Sequence, residues 1–361
     1  MILFDKRILS HFDYIQPILV LPIIILSHIL IFEANETLAT KQLIYFGVGL
    51  LAFLVFFMLP LRKLDWTIPI IYWIGIALLL GVEFFGVSKM GAKRWIELFG
   101  VSIQPSEIIK PAFILMLAYM IKKNPPPEEG YNLKEFLKFS FIILLPFILI
   151  LKEPDLGTAL ILLLCGFGIL FIIGVDRKIW IVLATSVALI SPLMYQNLHD
   201  YQKKRITDFI SDEPSYHVKQ SIIAIGNGGM NGKPKNEATQ THFKFLPIAT
   251  SDFIFSYNSE RFGFIGNVFL MSLYLFLILH LLALNFKLKD DYFSRVVATG
   301  IGLLIFIYAS INIAMTIGLA PVVGIPLPFF SYGGSSFITF MCLFGILQNL
   351  MTFKFRDSYK V

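Results

Sequence analysis

Apolar residues in this chain come in blocks about twenty residues long, separated by short stretches that hold most of the charge. A helical block of that length matches the hydrocarbon thickness of a bilayer. About ten blocks fit, near residues 14–32, 43–61, 66–86, 105–121, 135–151, 157–174, 178–195, 262–285, 296–319 and 328–351. The pattern predicts an all-α polytopic membrane protein of about ten transmembrane helices, forming one domain over residues 1–361. The connections are short, with one exception. The stretch from about 196 to 261, between the seventh and eighth blocks, is longer than a connector needs, and such loops usually carry function.

Composition agrees with the pattern. Hydrophobic residues are 57% of the chain and charged residues 15%, against roughly a quarter charged in soluble domains. Cys165 and Cys342 both lie inside apolar blocks and read as buried small hydrophobes, not as a disulfide or metal framework. The first block is too long for a cleavable signal peptide and lacks a small-residue cleavage site. The net charge of +6 is spread over short loops, which points to orientation in a membrane and away from nucleic acid.

Assigning alternate loops to the cytoplasm gathers most of the basic residues on one side. That side holds Lys6, Arg7, Arg62, Lys63, Lys122, Lys123, Lys134, Lys138, Arg177, Lys178, Lys287, Lys289 and Arg295, and the tail adds Lys354, Arg356 and Lys360. Both termini are therefore expected in the cytoplasm, with the long loop outside. Lys93 and Arg94 break the rule. They sit together on the outer side in Gly91-Ala92-Lys93-Arg94-Trp95, which suggests either an anionic ligand or headgroup contact beside an interfacial Trp. Lys152 is a further outer cation.

Other polar residues interrupt apolar surroundings. Glu107 and Lys110 enter the fourth block three positions apart, so they share a helix face. They read equally as a structural ion pair and as a substrate contact. In Lys152-Glu153-Pro154-Asp155-Leu156-Gly157-Thr158, Asp155 suits the start of the next helix. Within the long loop stands a basic run, Lys203-Lys204-Arg205. After it His217–Ile225 carries Val218, Ile222 and Ile225 at helical spacing, which predicts a short helix along the membrane surface. The following glycine-rich run, Gly226–Lys233, fails the phosphate-loop pattern, because Asn227 stands at its first glycine and Pro234 follows the lysine. Backbone amides near a phosphate are still compatible with it. Near the C-terminus the Gly318–Pro328 turn leads into Phe329–Ser336, expected within the last span, where Ser331 and Ser335 either allow close helix packing or line a cavity.

The long loop ends on Ser251-Asp252-Phe253-Ile254-Phe255. A carboxylate followed at once by these residues suits neither an ordinary loop nor a lipid-facing span. If the chain after Ser251 is helical, Asp252, Ser256, Ser259, Glu260 and Gly263 share a face. On the residues alone, Asp252 is as well explained as a first-turn acid as it is by a catalytic role.

Taken together, Gly91–Trp95, Gln104–Lys110, Glu153–Thr158, Gln220–Gly232, Ser251–Phe255 and Pro321–Ser336 resemble the SEDS family (shape, elongation, division and sporulation proteins), in the family's order and over nearly the whole chain. The Pro321–Pro328 stretch is closer to the elongation branch than to the division branch, which usually has a Thr-Lys pair after the first proline. The resemblance implies a bacterial inner-membrane peptidoglycan glycosyltransferase serving lateral wall elongation and rod shape. It would join lipid II to a nascent lipid-linked glycan at the periplasmic face, with inversion. Its implied partners are a class B penicillin-binding protein and other elongation-complex proteins. The family's essential Asp falls on Asp252, and its Glu and Lys on Glu107 and Lys110. Ser251 replaces the usual Thr, Ile248 stands where a Glu often follows Leu-Pro, and Arg261 replaces the second of two frequent glutamates.

On this reading Asp252 is the base for the attacking hydroxyl, and Lys93 and Arg94, with Lys152 and the 203–205 run behind them, hold the leaving pyrophosphate. The residues name no cofactor; a divalent cation at the pyrophosphate stays open, although no carboxylate cluster asks for one. A helix N-terminus would lower the Asp252 pKa and burial beside Phe253 and Phe255 would raise it, so its sign is open. Two rival readings use the same spans: a lipid II transporter switched by Glu107 and Lys110, and a non-catalytic scaffold.

Overall fold

The computed structural model describes residues 10–353 except 90, 91, 99, 100, 197–199, 212, 213, 244 and 247. Lys6, Arg7, Gly91, Lys354, Arg356 and Lys360 lie outside the described residues. Ten long helices coincide with the ten apolar blocks: α1 (Ile15–Ala34), α2 (Glu36–Met58), α3 (Ile68–Phe85), α4 (Pro105–Lys123), α5 (Leu133–Lys152), α6 (Leu156–Ile173), α7 (Arg177–Gln196), α11 (Ile254–Lys287), α12 (Tyr292–Thr316) and α13 (Gly334–Thr352). Between α7 and α11 lie α8 (Asp200–Ile210), α9 (Tyr216–Gly228) and the single turn α10 (Thr239–His242). Among the described residues, seven helices are long and apolar enough to cross a membrane: α1, α2, α3, α6, α11, α12 and α13.

Local signals set the helix ends. Asn35 caps α2 by accepting from the Thr37 and Leu38 amides, so this helix starts well before its apolar block. Asn132 and Glu135 form a capping box on α5. Asp155 caps α6 and Asp291 caps α12. The expected start of the last span at 328 is corrected: α13 begins at Gly334. Pro326 and Pro328 cannot donate amides to a helix, and Phe329 takes a positive φ of 63°, so residues 328–333 fold as an irregular segment.

The core is centred on α12, the most enclosed of the membrane-capable helices. It packs against α4, α6 and α11, with Gly300 meeting Ile114 and Ile169. Close approach of α2 and α13 uses Gly49 against Phe337 and Gly345 against the Phe53 backbone. Helix α7 is different. Trp180 anchors its start on Phe136, Phe167 and Phe171, while Ile181, Val182, Val187, Leu189 and Ile190 further along are exposed.

The all-α expectation also needs a correction between α3 and α4. A small antiparallel sheet stands here, made of β1 (Val87–Lys89), β2 (Ala92–Leu98) and β3 (Val101–Ile103) in the order β1-β2-β3. Ile96 pairs with Ile103 and Leu98 with Val101. Branched residues alternating with polar ones favour a pleated strand, and this stretch lies outside any apolar block.

Candidate active site

The long excursion after α7 is a packed layer on one end of the bundle. Its helix α9 forms as expected, and one face of it packs on the bundle. Val218, Ser221, Ala224 and Gly228 form its buried face against the first half of α11, and Ile222 is exposed. Ser221 Oγ sits 2.5 Å from Ser256 Oγ and donates to the Thr316 carbonyl at 2.6 Å, tying α9, α11 and α12 together. At Gly228 a side chain would run into the Ser259 carbonyl, so the helices approach at backbone distance. The glycine run is likewise a packing device. Helix α11 breaks at Gly263, where φ is 65°, and the amides of Phe264 and Ile265 then donate to Gly229 and Met230 at 2.8 and 3.1 Å.

The segment before α11 holds Asp252, and three successive carbonyls fix it. Thr250 accepts from the Tyr332 amide at 2.8 Å, Ser251 from Ser331 Oγ at 2.6 Å, and Asp252 from Asn312 Nδ2 at 3.0 Å. Asn312 also donates to the Ile325 carbonyl at 2.6 Å, and Ser331 Oγ accepts the Leu327 amide at 2.7 Å. The Asp252 carboxylate lies beside Gly324, where a Cβ would come within 3.4 Å of Oδ2. Gly324 has φ 73°, so both the backbone conformation and the neighbouring acid favour glycine. The helix starts at Ile254, which leaves Asp252 just ahead of its first turn and not on the shared face expected for it. Burial pushes the Asp252 pKa up, opposed in part by a bond from Ser251 and by Arg205 and His217. This answers the question left by the sequence: desolvation outweighs the stabilising neighbours.

Arg205 and His217 reach this acid from α8 and α9, and the His217 ring stacks on Phe253. Arg205 also walls a cavity of about 240 Å³ with Asp208, Val218, Ile222, Pro321 and Val322. Of the basic run, Lys203 donates to the Gln196 carbonyl at 2.8 Å.

The predicted cations separate. Arg94 is a strut: it donates to the carbonyls of Glu153 (3.1 Å) and Pro154, and its guanidinium lies 3.7 Å from Asp155. Lys93 donates to the Glu83 carbonyl at 2.7 Å. Lys93 and Lys152 line a second cavity, of about 340 Å³, together with Glu153. The Pro321–Pro328 turn touches both regions, with Gly157 against Val323 and Ile325, and Gly324 against Asp252.

Glu107 and Lys110 do pair, at 2.5 Å, and Lys110 also meets the Tyr308 hydroxyl of α12. The Lys110 side chain is 1% exposed, which favours the structural reading of this pair. Ser331 belongs to the clamp on residues 250–252, while Ser335 is half-buried in the first turn of α13. Glu260 is a cap, accepting the amides of Gln240 and Thr241 at 3.0 and 2.9 Å. Arg261 forks onto Glu33 at 2.7 and 2.9 Å and so ties the outer layer to α1. Asn312, Tyr332 and His217 were not singled out from sequence, and Arg205 was noted only as part of a basic run. An amide alone in the apolar α12 was the one available hint. Among the described residues, no group of three or more His, Cys, Asp or Glu could hold a metal ion.

The family model described as FTSW_RODA_SPOVE, cell cycle protein, matches residues 4–355. The peptidoglycan glycosyltransferase MrdB of Helicobacter pylori is 54% identical over 357 residues, spanning 98% of this chain and 94% of that protein. A chain in a solved peptidoglycan synthase complex, described as coordinating polymerization and crosslinking, superposes with a TM-score of 0.83 at 26% identity, covering 97% of this chain and 99% of the other. The rod shape determining protein RodA of Thermus thermophilus superposes with a TM-score of 0.72 at 26% identity, covering 97% and 98%. With the motifs in order, a matching fold and a family model that spans almost every residue, the chain belongs to the SEDS family of FtsW, RodA and SpoVE proteins, and within it is most like RodA.

Proposed function

We propose that the protein is a peptidoglycan glycosyltransferase that polymerises lipid II into glycan strands for rod-shaped growth, with Asp252 as its general base. The observation that carries this is the clamp on residues 250–252. It holds one acid, made more basic by burial, within the electrostatic influence of Arg205, which itself walls a cavity lined largely by apolar residues. A sugar hydroxyl of one lipid-linked substrate attacks the anomeric carbon of the other, the configuration inverts, and the polyprenyl pyrophosphate departs. The hydroxyl proton passes to Asp252. Lys93 and Lys152 face the departing phosphates, Arg94 keeps the adjoining turn in shape, and Ser335 is a candidate substrate contact. The exposed apolar length of α7 offers a prenyl chain a surface beside the bundle.

The protein is a multi-pass membrane protein whose ten long helices all cross the inner membrane. Both termini lie in the cytoplasm and the site faces the periplasm, as the distribution of Lys and Arg supports. The likeness to a chain of a synthase complex supports a class B penicillin-binding protein as partner within an elongation assembly. The test is polymerisation of lipid II in detergent by the purified chain with that partner. Asp252→Asn is expected to lose at least about 10²-fold in rate. Wild-type turnover by this variant would remove Asp252 from the chemistry, and absence of polymer from the unmutated protein would favour the transport reading.

A further inference from the structure

The turn between α5 and α6 contains a carboxyl group that the reaction outlined above does not use. Glu153 is 6% exposed, and both its oxygens are buried with no hydrogen-bond partner. A buried carboxyl without partners is costly unless a ligand completes it. The charged groups facing it are Arg94 from β2, Asp155 on its own turn and, around the cavity, Lys93, Lys152 and Glu83. Arg94 gives two of its five N–H groups to the carbonyls of Glu153 and Pro154, and none to the Glu153 carboxyl. Lys93 gives one hydrogen to the Glu83 carbonyl, which leaves two of its three donors. The cavity, about 340 Å³, is in the range of small-molecule sites, roughly 300–1,000 Å³.

We propose that Glu153, Lys93 and Lys152 bind a phosphate-type anion, the pyrophosphate of the lipid-linked donor, with the Glu153 carboxyl giving it a hydrogen bond as a neutral acid. Burial, and then the charge of Asp155, push the Glu153 pKa up to about 8 against partial opposition from Arg94, so the carboxyl carries its proton at neutral pH. Above that pH it becomes an anion and repels the ligand. The assignment to the donor's pyrophosphate rests on the glycosyltransferase reading, whereas the site itself does not.

The test is a binding titration with inorganic pyrophosphate on the full-length protein in detergent, at pH 7 and pH 9, for the unmutated protein and Glu153→Gln. Both proteins see the same probe ionisation, so the ratio of their Kd values isolates Glu153. That ratio is expected to change by about 10-fold between the two pH values, since the neutral fraction of a group falls about tenfold one unit above its pKa. Lys93→Ala and Lys152→Ala should each weaken binding at pH 7. A constant ratio, or full binding by both lysine variants, would overturn the site. Loss of pyrophosphate binding in phosphatidylglycerol nanodiscs but not in phosphatidylcholine nanodiscs would identify a headgroup as the resident phosphate and overturn the donor assignment. Asp252→Asn should keep pyrophosphate binding while losing polymerisation, which separates failure of this site from failure of the reading it rests on.

Discussion

Two buried acids at each end of the helix bundle are treated in opposite ways. At the end where α12 begins, burial alone would raise Asp291, but Arg62 at 2.7 Å and the Ser294 hydroxyl and amide together hold its pKa below the ordinary value. Asp13 at the same end is likewise buried and likewise lowered, by His280, Gln16 and the Ile15 amide. At the other end Asp252 and Glu153 are raised. Burial is the largest influence in all four, so what differs is the supply of partners. One end uses its carboxylates to fasten helices. At the other, Glu260 and Asp155 are partnered in the same way, but Asp252 and Glu153 are left short of partners and therefore reactive.

Mutation should separate the two ends by readout. The largest effect is expected from Asp252→Asn, a loss of about 10²–10⁴ in polymerisation with the thermal midpoint in detergent unchanged or higher. Activity loss accompanied by a collapse in stability would blur the contrast. Next, Asn312→Ala should cut polymerisation by about 10-fold or more, because Asp252 loses its carbonyl anchor, and should also cost about 1–3 kcal/mol of stability. Arg62→Ala at the opposite end should cost about 1–2 kcal/mol, a partly exposed pair being discounted for solvent, with turnover per folded molecule unchanged.

Smaller effects should depend on pH, with opposite signs at the two ends. Asp291 has a depressed pKa, so its contribution is present above the ordinary Asp value near 4 and is lost as pH falls through its folded-state value. Asp291→Asn should therefore lower the thermal midpoint at pH 7 and have little effect in strong acid. Glu153 ionises more readily in the unfolded chain than in the folded one, so rising pH favours unfolding until about 8. Glu153→Gln should raise the midpoint at pH 8 and leave it unchanged near pH 4. Matching responses from the two variants would dissolve the distinction between the ends. Finally, the acid limb of the polymerisation profile should lie above the free Asp value near 4, since Asp252 is raised.

The sequence told unequal amounts about these features. Apolar blocks located the ten long helices, because solvation by lipid acts on every residue of a span. Asp252 stood out because an acid set directly before Phe253, Ile254 and Phe255 is costly unless it is used. Arg94 was assigned to a ligand, but its partners lie about sixty positions further on, at Glu153 and Pro154. Asn312 and Ser331 act on backbone carbonyls, which any residue type provides, so no side-chain pattern marks the contact. The small sheet between α3 and α4 was missed because β1 and β3 have only three residues each and the adjacent Lys93 and Arg94 interrupt the alternation in β2.

The clamp on residues 250–252 also bears on biosynthesis. Its donors lie 60 positions downstream at Asn312 and 80 downstream at Ser331, with Tyr332 next to it. A chain still on the ribosome and lacking that last stretch already carries the acid, but without its orientation. Orientation of the acid therefore has to wait until the segment between α12 and α13 has been made and has folded back onto residues 250–252.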